Sequence, residues 1–263
     1  MNQKRVVLGI ESSCDETSVS IVREKSTSDQ EILSNIVNSQ IKLHEKSGGV
    51  IPEIAARSHS MVIDKLISEA LSKAKIKLSQ IDAVAATAGP GLLGGLIVGV
   101  VAAKTLASVI GKPFIAINHL EGHALSAKLE HEIEYPYLLL LVSGGHTEFT
   151  IINNFNNYSR IGTTLDDALG EAFDKSARVL GLKYPGGPEI EKYALQGDEE
   201  KYIFPKPIIS QKNCHFSFSG LKTAVAQKVA MTKIKNKKFK YDVAASFQKT
   251  ICDILEVKTK NAI

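Results

Sequence analysis

Cysteine is scarce and odd in number: Cys14, Cys214 and Cys252 are the three in 263 residues, and they lie far apart. That argues against a disulfide framework and for a reducing compartment. An excess of either charge is nearly missing too. Lys and Arg number 32 against 28 Asp and Glu, a formal balance of +4, which permits a nucleic-acid partner without demanding one. The N-terminus MNQKRVVLGIESS enters a strand pattern at once, so no leader and a cytoplasmic protein are expected. The apolar run Tyr137–Val142 is too short to span a membrane. What remains is an ordinary globular composition, 44% hydrophobic and 23% charged, sufficient for one large or two moderate domains.

The richest stretch is Ile117–Thr147. His119 and His123 are four apart, and on a helix both imidazoles leave one face, the spacing that gives two nitrogens to one metal ion. A structural pair satisfies the same spacing. The order H-L-E-G-H is not H-E-x-x-H: Glu121 stands two places after the first histidine, where it cannot serve metal-bound water as a zincin base, so protease chemistry is disfavoured. Tyr137–Val142 reads as a fully buried strand, and Ser143, Gly144 and Gly145 follow it as small residues whose amides can converge on an anion.

Earlier in the chain, the β-branched runs Arg5–Ile10 and Ser18–Val22 flank a turn crowded with Glu11, Ser12, Ser13, Asp15, Glu16 and Thr17. A solvated hairpin tip accounts for these residues as well as a ligand site does. The pattern of strand, small polar turn and strand recurs at Tyr137–Ile152, which points to a duplicated architecture of two lobes. Pro52 opens a helix with an apolar stripe through Ile54, Ala55, Val62, Ile63, Leu66, Ile67 and Leu71. Asp82–Thr87 reads as a strand, followed by a glycine-rich turn from Gly89 to Gly95 and a helix from Leu96 to Ile110. As a dinucleotide fingerprint the turn is weak, because Pro90 stiffens it and FIAIN stands where a strand should end in an acid. Close packing of a small-residue helix and phosphate contact at its N-terminus both remain open there.

Further on, Thr164 and Asp167 form a capping-box pattern that predicts a helix from Leu165, closed by Gly181. Asp174 and Lys175 sit at its middle, where an exposed pair is the plain alternative. Tyr184–Pro188 reads as a rigid turn, and Glu191 falls early in the next helix. His215–Ala224 reads as a strand-to-helix junction. Lys228, Lys233, Lys235, Lys237, Lys238 and Lys240 are a basic run, either a solvated face or a contact for an RNA backbone. A last helix is predicted over Tyr241–Val257.

The segments GIESSCDET, GGVIPEIAARSH, TAGPGLLGGLIVG, NHLEGH, LLLLVSGGHTE, LDDALGEAFDKSARVLGLKYPGGP and FSFSGLKTA together resemble the tRNA threonylcarbamoyladenosine transferases, the TsaD-like family. They run from Val7 to about Ala224. The resemblance implies an α/β fold of the actin-like ATPase and sugar-kinase type, with a first lobe over 1–133 and a second over 134–263. It implies transfer of the threonylcarbamoyl group from threonylcarbamoyl-AMP to N6 of adenosine 37 in tRNAs reading ANN codons, with TsaB-like and TsaE-like partner proteins and no membrane. His119 and His123 match the family's metal ligands, for a divalent ion that is iron first and zinc second. Leu141, Val142, Ser143, Gly144, Gly145, Asp174 and Gly187 match substrate-contacting positions, and so does Glu191, where many relatives have Asp. Asp15 and Glu16 match acidic residues of the first hairpin and are the expected proton acceptors. Family members continue past residue 263, through an Asn-bearing segment and an Asp that ligates the metal. On that ground a truncated chain is expected, with a half-enclosed metal site and an incomplete second lobe. A non-catalytic remnant or scaffold is the alternative.

Overall fold

The computed structural model describes residues 4–25, 30–129, 131–233 and 236–263; Lys235 of the basic run lies outside them. The chain divides into two compact units, Met1–Glu132 and Ile133–Ile263.

The first unit is built on a five-stranded sheet. Strands β1 (Val6–Glu11), β2 (Glu16–Glu24) and β3 (Gln30–Ser39) form an antiparallel meander, while β4 (Ala83–Gly89) and β5 (Phe114–Asn118) add in parallel, giving the order β3-β2-β1-β4-β5. Period-2 alternation in the first two strands turns Leu8, Ile10, Val19 and Ile21 inward, all buried. Between β3 and β4 lie a short helix α1 (Ile41–His44) and the long α2 (Pro52–Ala74), which starts on Pro52 as expected. The buried stripe of α2 is Ala55, His59, Ile63, Leu66 and Ala70. Ile54 is instead exposed: the inward face is centred one residue later, and a histidine occupies it.

Helix α3 (Leu93–Ile110) is the crossover between parallel β4 and β5. By length and mean hydropathy (2.0) it is apolar enough to cross a membrane, yet its small-residue face, Gly95, Gly99, Ala103 and Ala107, is buried in this unit. A Cβ on Gly94 would come within 2.9 Å of the Ala56 Cβ, so α2 and α3 meet at backbone distance. Helix α4 (His119–Ser126) follows β5 directly.

The second unit carries a meander of β6 (Tyr137–Val142), β7 (Thr147–Asn154) and β8 (Asn157–Thr163), then α5 (Leu169–Val179), α6 (Gly186–Ala194), α7 (Ser219–Met231) and α8 (Lys237–Ala262). Its core is aromatic: Phe149 stacks on Phe216 at 5.2 Å, Phe216 on Phe218 at 5.8 Å, and Phe247 lies under Phe173.

Two expectations fail in this unit. The strand β6 is not fully buried: only Leu141 is, while Leu140 and Val142 are 37% and 43% exposed. Among the described residues it lies at the edge of its sheet, paired with β7 alone. The helix predicted from Leu165 begins at Leu169. Thr164 bonds the Asp167 carbonyl, and the side chains of Asp166 and Asp167 serve distant partners instead of capping. Asp166 accepts from the amide and hydroxyl of Ser219, the Phe218 amide and the Ser217 hydroxyl, so it caps α7 from 53 residues away in sequence. Asp167 pairs with Lys222 at 2.7 Å and Lys175 at 3.2 Å. Lys175 is therefore tied by ion pairs and does not form an exposed couple with Asp174.

Candidate functional site

In the first unit the site grows from the β1–β2 turn. The glycines after β4 are explained by that turn: a side chain on Gly95 would run into the Ser12 carbonyl, and one on Gly99 into the Ser12 hydroxyl. A Cβ on Gly91 would lie 2.7 Å from the Ser13 carbonyl oxygen, whose lone pair also receives the Leu92 amide at 2.7 Å. Close packing is thus the role the structure shows for this motif.

The packed turn presents Glu11 to the start of α4. The Ser13 amide donates to Glu11 Oε1 at 2.6 Å, the Thr87 hydroxyl donates to Oε2, and His119 Nδ1 lies 3.4 Å from Oε2 and 3.2 Å from the Ser13 hydroxyl. Burial opposes ionisation of Glu11, but these bonds from His119, Ser13 and Thr87 outweigh it and hold the carboxyl at about 2. Asn118 caps α4 by accepting from the Leu120 and Glu121 amides, which places His119 in the first turn and His123 in the second.

Their Nε2 atoms are 3.2 Å apart, a separation suited to two imidazoles sharing one ion at roughly 2.1 Å each. His119 thus turns Nε2 to the shared point and Nδ1 to a carboxylate, the arrangement by which proteins orient a ligating histidine. Among the described residues no third His, Cys, Asp or Glu joins the pair. A cavity of about 170 Å³ opens beside Glu11, lined by small residues such as Gly9, Ser18, Ser20 and Ala85 and by the apolar side chains of Ile10 and Ile117. Asp15 is half-buried and Glu16 exposed on the same turn; the carboxylate at His119 is Glu11.

In the second unit, Leu141 to Gly145 lead into a tight turn closed by the Ser143 amide on the His146 carbonyl and the His146 amide on the Ser143 hydroxyl. The turn rests on the start of α5: the Gly170 amide donates to the Ser143 carbonyl at 3.1 Å, and a Cβ on Gly170 would lie 2.7 Å from that oxygen. Above Gly144 and Gly145 the space is open, with nothing within 4 Å of an added Cβ. One turn along α5, Asp174 Oδ1 accepts from the Gly186 amide at 2.7 Å, at the first residue of α6. Gly187 follows with open space around it, and Glu191 lies one turn further, exposed. The glycines expected in a turn are therefore the first residues of a helix, and Glu191 sits past its middle.

So α5 links the small-residue turn, Asp174 and Gly187 within one unit. Sequence reasoning passed over Gly170 and Gly186, which permit that packing, and Glu11 as the partner of His119. Only the alternation of β1, which puts Glu11 on the face opposite Ile10, signalled the last.

Residues 31–263 match the family model described as TsaD: tRNA N6-adenosine threonylcarbamoyltransferase. A tRNA N6-adenosine threonylcarbamoyltransferase of Pelagibacter ubique (strain HTCC1062) is 56% identical over 262 residues, covering 100% of this chain and 73% of the relative. One of that name from Bartonella bacilliformis is 54% identical over 98% of this chain and 71% of its own length. Among solved structures, the Aquifex aeolicus PPX-GPPA enzyme is similar over 97% of this chain and 94% of that one, with a TM-score of 0.41 and 10% identity. YeaZ from Pseudomonas aeruginosa is similar over 59% of this chain and 63% of that one, with a TM-score of 0.40 and 16% identity.

Proposed function

We infer the activity from the family: the chain belongs to the tRNA N6-adenosine threonylcarbamoyltransferases. It is an acyltransferase of α/β, actin-like fold that moves the threonylcarbamoyl group from threonylcarbamoyl-AMP to N6 of adenosine 37 in tRNAs reading ANN codons. The observation that carries this is the 56% identity along the whole chain. A remnant or scaffold without activity is not favoured by relatives that carry the transferase name.

The reaction joins N6 to the carbamoyl carbon, breaks that carbon's bond to the phosphate oxygen, and releases AMP and a proton. AMP is a good leaving group and the exocyclic amine a poor nucleophile. Positioning, charge stabilisation and a proton acceptor are what the protein must add.

His119 and His123 are the residues to hold a metal, and two imidazoles suit iron, our first choice, or zinc. Bound there, the ion would polarise substrate oxygens. Glu11 orients His119, and its oxygens are already engaged by Ser13, Thr87 and His119. That leaves Asp15 or Glu16 as the proton acceptor. The Leu141–Gly145 turn, open above its glycines, is our site for the phosphate or the carbonyl oxygen, with Asp174, Gly187 and Glu191 continuing the substrate surface.

The division into compact units at Glu132 and Ile133 supports our two lobes over 1–133 and 134–263. TsaB-like and TsaE-like proteins are the proposed partners. An exposed stripe on α3, with Leu93, Ile97 and Val101 at intervals of one turn, supports a protein partner. Exposed Lys233 and Lys237 support contact with tRNA, whereas Lys238 is paired with Asp242 and Lys228 lies 4.3 Å over the Tyr202 ring. A tRNA substrate supports a cytoplasmic location.

The test is mass spectrometry of adenosine 37 after the chain is incubated with unmodified tRNA, threonylcarbamoyl-AMP, Fe2+ and the partner proteins. The threonylcarbamoylated nucleoside is expected. Its absence, with a full-length relative active under the same conditions, would sink the assignment.

A further inference from the structure

Beneath the acidic turn of the first unit runs a chain of hydrogen bonds through two histidines with no exposed surface, His44 and His59. Its direction is set at both ends by backbone groups. The Ile51 amide can only donate, so His44 Nδ1 accepts from it at 3.3 Å. The His44 proton is then on Nε2, which donates to Gln40 Oε1 at 3.2 Å. With its oxygen facing His44, Gln40 turns its amide nitrogen to His59 Nδ1 at 3.2 Å and to the Ala55 carbonyl at 3.4 Å. The Thr17 hydroxyl donates to the same Nδ1 at 2.8 Å. His59 therefore carries its proton on Nε2 and donates to the Cys14 carbonyl at 3.0 Å. A carbonyl cannot donate back, so no step of the chain can reverse.

We propose that His59, ordered by Gln40 and His44, is a positioning residue for the transfer: it grips Cys14 and Thr17, the residues on either side of Asp15 and Glu16, with its proton held on Nε2. This rests on the reading that Asp15 or Glu16 accepts the proton. Helix α3 is shaped for the grip, since a Cβ on Gly95 would lie 3.1 Å from His59 Nε2 as well as striking Ser12. Gln40 also holds the turn through its backbone, its main-chain N–H donating to the Asp15 carbonyl at 3.0 Å. The charged and titratable groups facing His59 are Glu11 and Asp15 of the hairpin and His44 of α1. Burial pushes the imidazole below its ordinary value against the pull of the Cys14 carbonyl and those two carboxylates. A proton on Nδ1 would set a donor against the Gln40 side-chain nitrogen, which cannot accept, and so loosen the ordering by Gln40.

The first test is nitrogen NMR of the imidazoles in the whole chain. Both histidines are expected as the Nε2–H tautomer, and His59 is expected to take up a second proton only at a pH below that of an ordinary histidine. A His59 proton on Nδ1, or titration near the ordinary value, overturns the proposal. The second test is kinetic. His59→Gln keeps a donor near the Cys14 carbonyl and is expected within about threefold of the parent, while His59→Phe loses roughly tenfold or more in kcat with an unchanged KM for tRNA. If His59→Phe does not fold, the near-isosteric Thr17→Val replaces it: it removes one of the two holds of His59 on the turn, with a loss of roughly fivefold in kcat and an unchanged KM expected. Parental kcat in folded His59→Phe, or in Thr17→Val, overturns the proposal alone. Parental kcat in both Asp15→Asn and Glu16→Gln overturns the proton-acceptor assignment, and the proposal with it.

Discussion

The two hairpin turns follow the same sequence plan, a strand, a run of small polar residues and a second strand, yet they are supported in opposite ways. The Ser12–Ser13 turn is enclosed. Gly91, Gly95 and Gly99 press on it, and Glu11, Thr87, His119 and His59 bond it. The Ser143–Gly145 turn leans on Gly170 alone among the glycines, and above its own glycines there is open space. An enclosed turn holds charged groups in fixed positions, as an acid–base or metal centre needs. An open turn leaves room for a ligand to approach the backbone.

The sharpest way to break this contrast is at the histidines. His119→Ala should abolish metal binding, read by elemental analysis of the purified chain, and lower turnover roughly 100-fold or more. An unchanged metal content would show that the enclosed turn holds no such centre. Next, Asp15→Asn and Glu16→Gln separate the two acids of that turn: the true acceptor should cost roughly 100-fold in kcat and the other little.

Smaller effects distinguish enclosed from open glycines. Gly95→Ala should destabilise the fold by about 1–3 kcal/mol through overpacking, measured by urea unfolding. Gly145→Ala should leave unfolding unchanged and raise the KM for threonylcarbamoyl-AMP. Equal loss of stability in the two variants would erase the distinction.

The smallest effect concerns acid. Partial desolvation opposes ionisation of Asp166, which is exposed, yet bonds from Ser217, Phe218 and Ser219 hold its carboxyl below the ordinary 3.8. Because the folded value lies below the unfolded one, its contribution is full above pH 3.8 and fades as the pH falls towards the folded value. In Asp166→Asn that acid-dependent component should vanish from unfolding curves taken between pH 5 and 3, while one near neutrality shows only the weaker cap.

Local chemistry made much of the first unit legible. The alternation of Val6–Glu11 and Glu16–Glu24 and the proline at the head of α2 act over a few residues, and the structure follows them. The histidine pair could be placed on one helical face for the same reason. His59 could not be read as part of a relay, because Gln40, Thr17 and Cys14 reach it from 19, 42 and 45 residues away. The start of α5 was misplaced for a like cause: Asp166 and Asp167, good capping residues by their letters, were recruited by Ser217, Ser219 and Lys222.

The sequence by itself determined the first two strands, the long helices α2 and α3, the family segments and the residue types of the site, since periodicity and helix-start signals are properties of neighbouring residues. Only the tertiary structure decided which carboxylate meets His119, which glycines are packed and which are open, and which way the protons of His44 and His59 point. Those depend on distances between segments far apart in the chain, and hydrogen-bond direction is fixed only when both partners are in place.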